Sequence, residues 1–187
     1  MSDPGAAANR ERFDRTLVLV DEARAEILAF LSRVTQAQAD RRPGPAEWSV
    51  GEIAHHLALW ERGSMARVAE LAGAAAPDER IPEDVLRRRP YRLEDSWNVA
   101  VTGKGTALPE FIPRPGLPLA ELTAVLHQAR AHTRLILTPY RDQDLAARIY
   151  LHHRLGPITL YERIAFVAYH DRKHLRQMER TMVRLHP

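Results

Sequence analysis

Apolar residues recur along the chain at steps of three and four, in four separate stretches. Phe13, Leu17, Val20, Ile27, Leu31 and Val34 mark the first, with Arg24 interrupting the stripe. Such spacing puts the marked residues on one helix face and predicts a helix from about Asn9 to Val34, before the Pro43-Gly44-Pro45 breaker. The second stretch opens at Ser49-Val50-Gly51-Glu52. There the serine hydroxyl can accept an early backbone N–H while the glutamate reaches back to the cap. Its stripe is Ile53, Leu57, Trp60, Ser64 and Leu71, and it fades into Gly73-Ala74-Ala75-Ala76-Pro77. Leu119, Leu122, Leu126, Ala129, Thr133 and Ile136 form the third, in alternating steps of three and four. The fourth starts after Gly156-Pro157 with another capping pattern, Thr159-Leu160-Tyr161-Glu162, and carries Leu160, Ile164, Val167, His174, Met178 and Met182.

Four amphipathic stretches without strand alternation predict an all-α four-helix bundle. A short Pro-rich turn joins the first two helices, which should therefore be antiparallel. About forty residues, roughly 74–118, separate the second from the third and hold many of the prolines, with a short helix expected near Glu83–Arg89. A connection this long tends to be functional or to cover something. It can cross the whole bundle, so the second and third helices can run parallel, an up-down-down-up arrangement. The expectation is one domain over residues 1–187, with its core at about 10–184.

Composition narrows the chemistry. The 187 residues include no Cys, which excludes disulfides, a thiolate nucleophile and Cys-ligated metal. The N-terminal residues lack an apolar signal-peptide core, and no stretch approaches the ~18 apolar residues of a membrane helix. A soluble, cytoplasmic protein without a membrane partner is expected. Basic residues outnumber acidic ones by only 27 to 24 and are interspersed with them, against a nucleic-acid partner. The exception, Arg87-Arg88-Arg89-Pro90-Tyr91-Arg92, reads best as a solvated loop.

Nine histidines are the chemical resource. His170 and His174 stand one helical turn apart, so both imidazoles can reach one ion. Together they supply two of the three protein ligands of an open zinc site. Asp follows the first of them, so the pair is not a His-Glu-x-x-His protease motif. At ~100° per residue, His174 lies within the apolar stripe and His170 at its edge. Asp171 falls near the middle of the stripe. Its carboxylate could hydrogen-bond a ligand histidine, or else a neighbouring helix. In the second helix, His56 falls beside Trp60 on the inward face, and His55 points to the surface. His127 faces solvent and His132 is marginal. His132 and His153 are the alternatives that could replace or join His56. Trp48 and Trp60 read as core and pocket-wall residues.

Three passages then resemble a known family. They are Glu47-Trp48-Ser49-Val50-Gly51-Glu52-Ile53-Ala54-His55-His56-Leu57, Leu155-Gly156-Pro157-Ile158-Thr159-Leu160, and Ala168-Tyr169-His170-Asp171-Arg172-Lys173-His174-Leu175-Arg176-Gln177. In this order they resemble the DinB/YfiT-like metalloenzymes, four-helix bundles with a three-histidine metal site. The resemblance implies that His56, His170 and His174 bind a divalent metal, zinc or nickel, and that the protein is a homodimer. It also implies a small-molecule enzyme. The first expectation is a transferase using a low-molecular-weight thiol in detoxification or stress response. The second is a metal-dependent hydrolase of a small amide or ester. A non-catalytic metal- or ligand-binding dimer is the third reading. In the transferase, residues Arg87 to Arg92, Trp97 and Asn98 would wall the pocket and supply a cation for an anionic substrate.

Overall fold

Both capping patterns close in the computed structural model, which describes residues 4–74, 107–152 and 156–185. Ser49 accepts the Glu52 N–H at 3.2 Å while the Glu52 carboxylate accepts the Ser49 N–H at 2.9 Å. This cap opens a helix over Val50–Gly73. Thr159 and Glu162 repeat the exchange at 2.6 and 3.2 Å and open the last helix, Leu160–Leu185. Satisfying these early N–H groups fixes where each helix begins.

Among the described residues the long helices are α1 (Pro4–Leu31), α3 (Val50–Gly73), α4 (Leu119–Leu137) and α5 (Leu160–Leu185). A short helix, α2 (Gln36–Asp40), occupies the turn where the sequence predicts none. Its signal is present in the sequence: Thr35 and Gln38 form a capping box. Hence α1 ends at Leu31 rather than Val34, although Val34 is still buried.

Absence of strands is corrected at one place. Strands β1 (Ile149–His152) and β2 (Gly156–Thr159) pair antiparallel, Ile149 opposite Thr159 and His152 opposite Gly156. Four residues per strand are too few to show alternation, and Gly156, at φ 69°, starts β2 in a conformation other residues rarely adopt. The short helix expected near Glu83–Arg89 and the pocket wall at Arg87 to Arg92, Trp97 and Asn98 lie outside the described residues.

Contacts between helices give their directions. Along α1 and α5, Asn9 meets Tyr161, Arg24 meets Asp171 and Glu26 meets Arg172, so the two run parallel. Glu61 of α3 meets Arg130 and Thr133 of α4, while Gly51 lies near Leu122 and Gly73 near Tyr140 beyond it; these also run parallel. Leu17 and Val20 gather with Met65 and Val68, whereas Ile27 and Leu31 gather with Ile53 and Leu57, so α1 and α3 are antiparallel. The result is the up-down-down-up bundle. The long connection between α3 and α4 makes the parallel pair possible.

Two apolar clusters fill the bundle. One joins Phe13 to Ala23 with Met65 to Ala72 and Leu160 to Ala168; the other joins Ile27 to Val34 with Val50 to Ala58, Leu122 to Ala129, and Met178. Between them sits a buried charge network with one member from each long helix: Arg24, Glu61, Arg130 and Asp171. Arg24 donates to Asp171 at 3.0 Å and to Glu61 at 2.8 Å. Arg130 Nε lies 3.2 Å from Glu61, and Thr133 donates to Glu61 at 2.7 Å. Two positive and two negative groups balance, which is the condition for burying any of them. Burial pushes the Asp171 carboxyl up, and Glu61 adds to this, while Arg24 and Arg130 hold it down.

Removing one partner leaves a buried charge uncompensated. Arg24→Met is therefore expected to cost about 3–5 kcal/mol in urea unfolding. Glu47→Gln, which breaks the exposed pair with Arg184, should cost less than about 1 kcal/mol.

Candidate metal centre

Helix α5 brings His170 and His174 together by its own period, with ring centroids 4.5 Å apart. Helix α3 adds His56, whose ring lies 5.3 Å from His170 and 5.0 Å from His174. One nitrogen of each ring lies within 4.8 Å of one from each of the others. A tetrahedral ion with ~2 Å bonds spaces its nitrogens by roughly 3.3 Å. Small side-chain rotations close that difference, so the three residues can hold a metal.

Two of the rings are oriented from behind. His56 Nδ1–H donates to the Phe111 carbonyl at 2.8 Å, and His174 Nδ1–H donates to the Gln177 side-chain oxygen at 2.8 Å. Each bond leaves Nε2 as the free lone pair, the tautomer a metal requires. His170 is held instead by stacking on Trp60, at 3.9 Å and 17°. Its Nδ1 is buried without a hydrogen-bond partner, a vacancy that a ligand bond would satisfy. Trp48 packs 4.9 Å from His56, so both tryptophans wall the centre.

All three imidazoles are kept neutral. Burial lowers the pKa of His170 well below its ordinary value, and His174 and His56 push the same way. His174 is pushed down to about 3, first by burial and then by His56, against the opposing bond to Gln177. Burial lowers His56 too, with the Phe111 carbonyl acting in the other direction. Neutral imidazole is the form that binds metal.

His55 corrects the sequence reading. It is not on the surface but 6% exposed, its Nδ1 accepting the Arg114 N–H at 2.9 Å. The segment before α4 covers this flank of α3, and helical phase alone could not anticipate it. A short 3-10 turn, Pro109–Phe111, lies within that segment. It approaches so closely that a Cβ on Gly63 would stand 2.7 Å from the Phe111 ring. Glycine in mid-helix therefore lets Phe111 come near, and the same segment supplies the carbonyl that orients His56.

The other candidates fall elsewhere. Asp171 turns its carboxylate to Arg24, the helix-neighbour alternative, and none of the three histidines is its hydrogen-bond partner among the described residues. His132 is half-buried on α4 and outside the cluster, and His127 is exposed. His153 lies outside the described residues. Among those described, no fourth His, Cys, Asp or Glu joins the cluster.

Phe111 and Arg163 carry no signal in the sequence, while Gln177 closes the third passage of the family resemblance without a role assigned to it. Gln177 stands three residues after His174, a spacing that reaches back along one helix face. Arg163, two turns before His170, is buried among Trp60, Tyr150 and Phe166, with Cζ 4.9, 4.7 and 5.6 Å from their ring centroids. Burial lowers its pKa, with the Tyr150 phenol acting the other way.

The model of the DinB superfamily matches residues 19–178. The chain belongs to that superfamily. Among solved structures it is similar to YfiT from Bacillus subtilis, described as a probable metal-dependent hydrolase with an unusual four-helix bundle topology. That match has a TM-score of 0.60 at 20% identity and covers 94% of this chain and 88% of YfiT. TT2238, described as a four-helix bundle protein, matches with a TM-score of 0.54 at 20% identity, over 90% of this chain and 98% of its own. At these identities the likeness concerns the fold. A search of curated proteins finds no match to the chain. Among the described residues no helix is long and apolar enough to cross a membrane.

The depressed histidine pKa values make stability depend on acid. Unfolded histidine titrates near 6.5, folded His174 at about 3, so the unfolded chain binds more protons between those values. Stability of the metal-free protein should fall as pH drops from 6.5 towards 3. In His174→Gln the dependence should be shallower by up to about 1.4 kcal/mol per pH unit, measured by urea unfolding at several pH values.

Proposed function

We propose that this protein is a metal-dependent enzyme acting on small molecules, with hydrolysis of a small amide or ester as the leading reading. The observation that carries it is the convergence of three neutral imidazoles, two buried and one half-buried, with no fourth His, Cys, Asp or Glu among the described residues. A structural zinc site is closed by four protein ligands, and a catalytic one keeps a position open. The description of YfiT as a probable metal-dependent hydrolase supports the same direction.

His56, His170 and His174 would hold the ion. Zinc or nickel suits an all-imidazole set. Bound there, it would act as a Lewis acid and lower the pKa of a coordinated water or thiol. Phe111 and Gln177 keep two of the ligands in the binding tautomer, and Trp48 and Trp60 exclude water from their sides. Asp171 does not serve as a base in this scheme, because its carboxylate is committed to Arg24.

One observation favours a second reading, transfer of a low-molecular-weight thiol. No carboxylate among the described residues joins the cluster to act as general base. A thiol, being more acidic than water, needs less help to ionise. The chain has no cysteine of its own, so the thiol would be a cosubstrate. A homodimer and a cytoplasmic setting belong to the same proposal.

Elemental analysis tests the metal. About one equivalent of zinc or nickel per wild-type chain is expected after loading, and under about a tenth of that in His174→Ala. Gln177→Ala should weaken affinity by about 10–100-fold. Wild-type protein that stays empty overturns the proposal. Loaded protein is then given ester and amide panels, or monochlorobimane with bacillithiol, mycothiol or glutathione. Metal-dependent hydrolysis supports the first reading, metal-dependent conjugation the second.

A further inference from the structure

Three arginines are buried among the described residues: Arg24, Arg130 and Arg163. Arg24 and Arg130 sit against Glu61 and Asp171. Arg163, 6% exposed, forms no salt bridge among the described residues, and its Nε and Nη1 have no hydrogen-bond partner. Guanidinium stays charged at neutral pH, so this is a buried cation helped by the Tyr150 phenol alone, with two of its three nitrogens left without a hydrogen bond. Its face is satisfied. Trp60, Tyr150 and Phe166 surround Cζ at cation–π distances.

Placement gives that free edge a purpose. The Trp60 ring that carries Arg163 at 4.9 Å also stacks on His170 at 3.9 Å. Arg163 and His170 are seven residues apart on α5, so they share one helix face. His170 itself is half-buried, so this face is not fully sealed from solvent. A cation walled by aromatic rings, one ring away from the histidine centre, is suited to a planar anion with an apolar body.

We propose that Arg163 is the anion receptor of this site, taking the carboxylate of a small organic acid whose other end reaches the three-histidine centre. The second half of this statement rests on the metal reading, and the first does not. Arg163 thereby sets substrate class: carboxylate-bearing molecules over neutral ones.

The test compares phenylacetate with its neutral isostere phenylacetamide, by thermal shift and by tryptophan fluorescence, since Trp60 lies against the guanidinium. It is run on the full chain in EDTA and again after zinc loading. Phenylacetate should stabilise the protein and change its fluorescence in both states, and phenylacetamide should do neither. Arg163→Met should weaken phenylacetate about tenfold or more, and Arg163→Lys should keep part of the affinity. Equal responses to acid and amide, or unchanged phenylacetate binding in Arg163→Met, overturn the proposal. If Arg163→Met does not fold, the wild-type comparison and Arg163→Lys decide. A chain that prefers phenylacetate yet takes up no metal overturns only the metal reading, and a metal-loaded chain indifferent to the acid overturns only this one.

Discussion

A carboxylate or guanidinium from each of the four long helices meets at mid-height, and this meeting constrains everything around it. Apolar clusters above and below would tolerate small rotations of a helix about its axis, because one methyl group substitutes for another. Arg24 does not allow that freedom. It must reach Asp171 on α5 and Glu61 on α3 together, with both acids shut off from water. Turning either helix would strand a charge in an apolar interior, at a cost of several kcal/mol. Ion pairs of this kind are weak contributors to net stability, and their effect here is on phase.

The histidine centre inherits that phase. His170 immediately precedes Asp171, so pointing Asp171 at α1 turns His170 and His174 towards α3. On α3, Glu61 immediately follows Trp60 and lies five residues after His56. Pointing Glu61 into the network thus presents Trp60 and His56 to α5. The charge network and the imidazole cluster are neighbouring faces of the same two helices, and fixing one fixes the other. The segment before α4 then completes the arrangement, because Phe111 can orient His56 only where Gly63 leaves room for its ring.

Much of this could be read from the chain by periodicity. The four stripes, the capping pairs at Ser49 and Thr159 and the inward phase of His56 each depend on residues within a few positions of one another. The connection length permitted a parallel α3 and α4 without requiring it. What was not legible depends on partners distant in sequence. Asp171 had two readings until Arg24 was seen across the bundle, although Arg24 had already broken the first stripe. His55 points away from the stripe and would be exposed, had residues 107–118 not folded over it. The hairpin of β1 and β2 is four residues per strand, below the length at which alternation shows. Thr35 and Gln38 were a local signal, legible in principle, hidden by the prolines that follow.

Arg163 poses the opposite problem, since its neighbours are aromatic and no carboxylate among the described residues pairs with it. Cation–π contact contributes about 0.5–2 kcal/mol and acts on the face of a guanidinium. The in-plane N–H groups want acceptors, and an apolar interior normally repays their desolvation only through such bonds. This same bundle pairs Arg24 and Arg130 with acids, so it has the means to satisfy a buried arginine. On α5 the two groups left with open nitrogen positions, Arg163 and His170, share one face and one tryptophan. Arg130 also buries nitrogens without a hydrogen-bond partner, but they lie near Glu61 and Asp21, whereas Arg163 has no carboxylate beside it among the described residues. That is the physical signature of a site shaped for a molecule the chain does not itself supply.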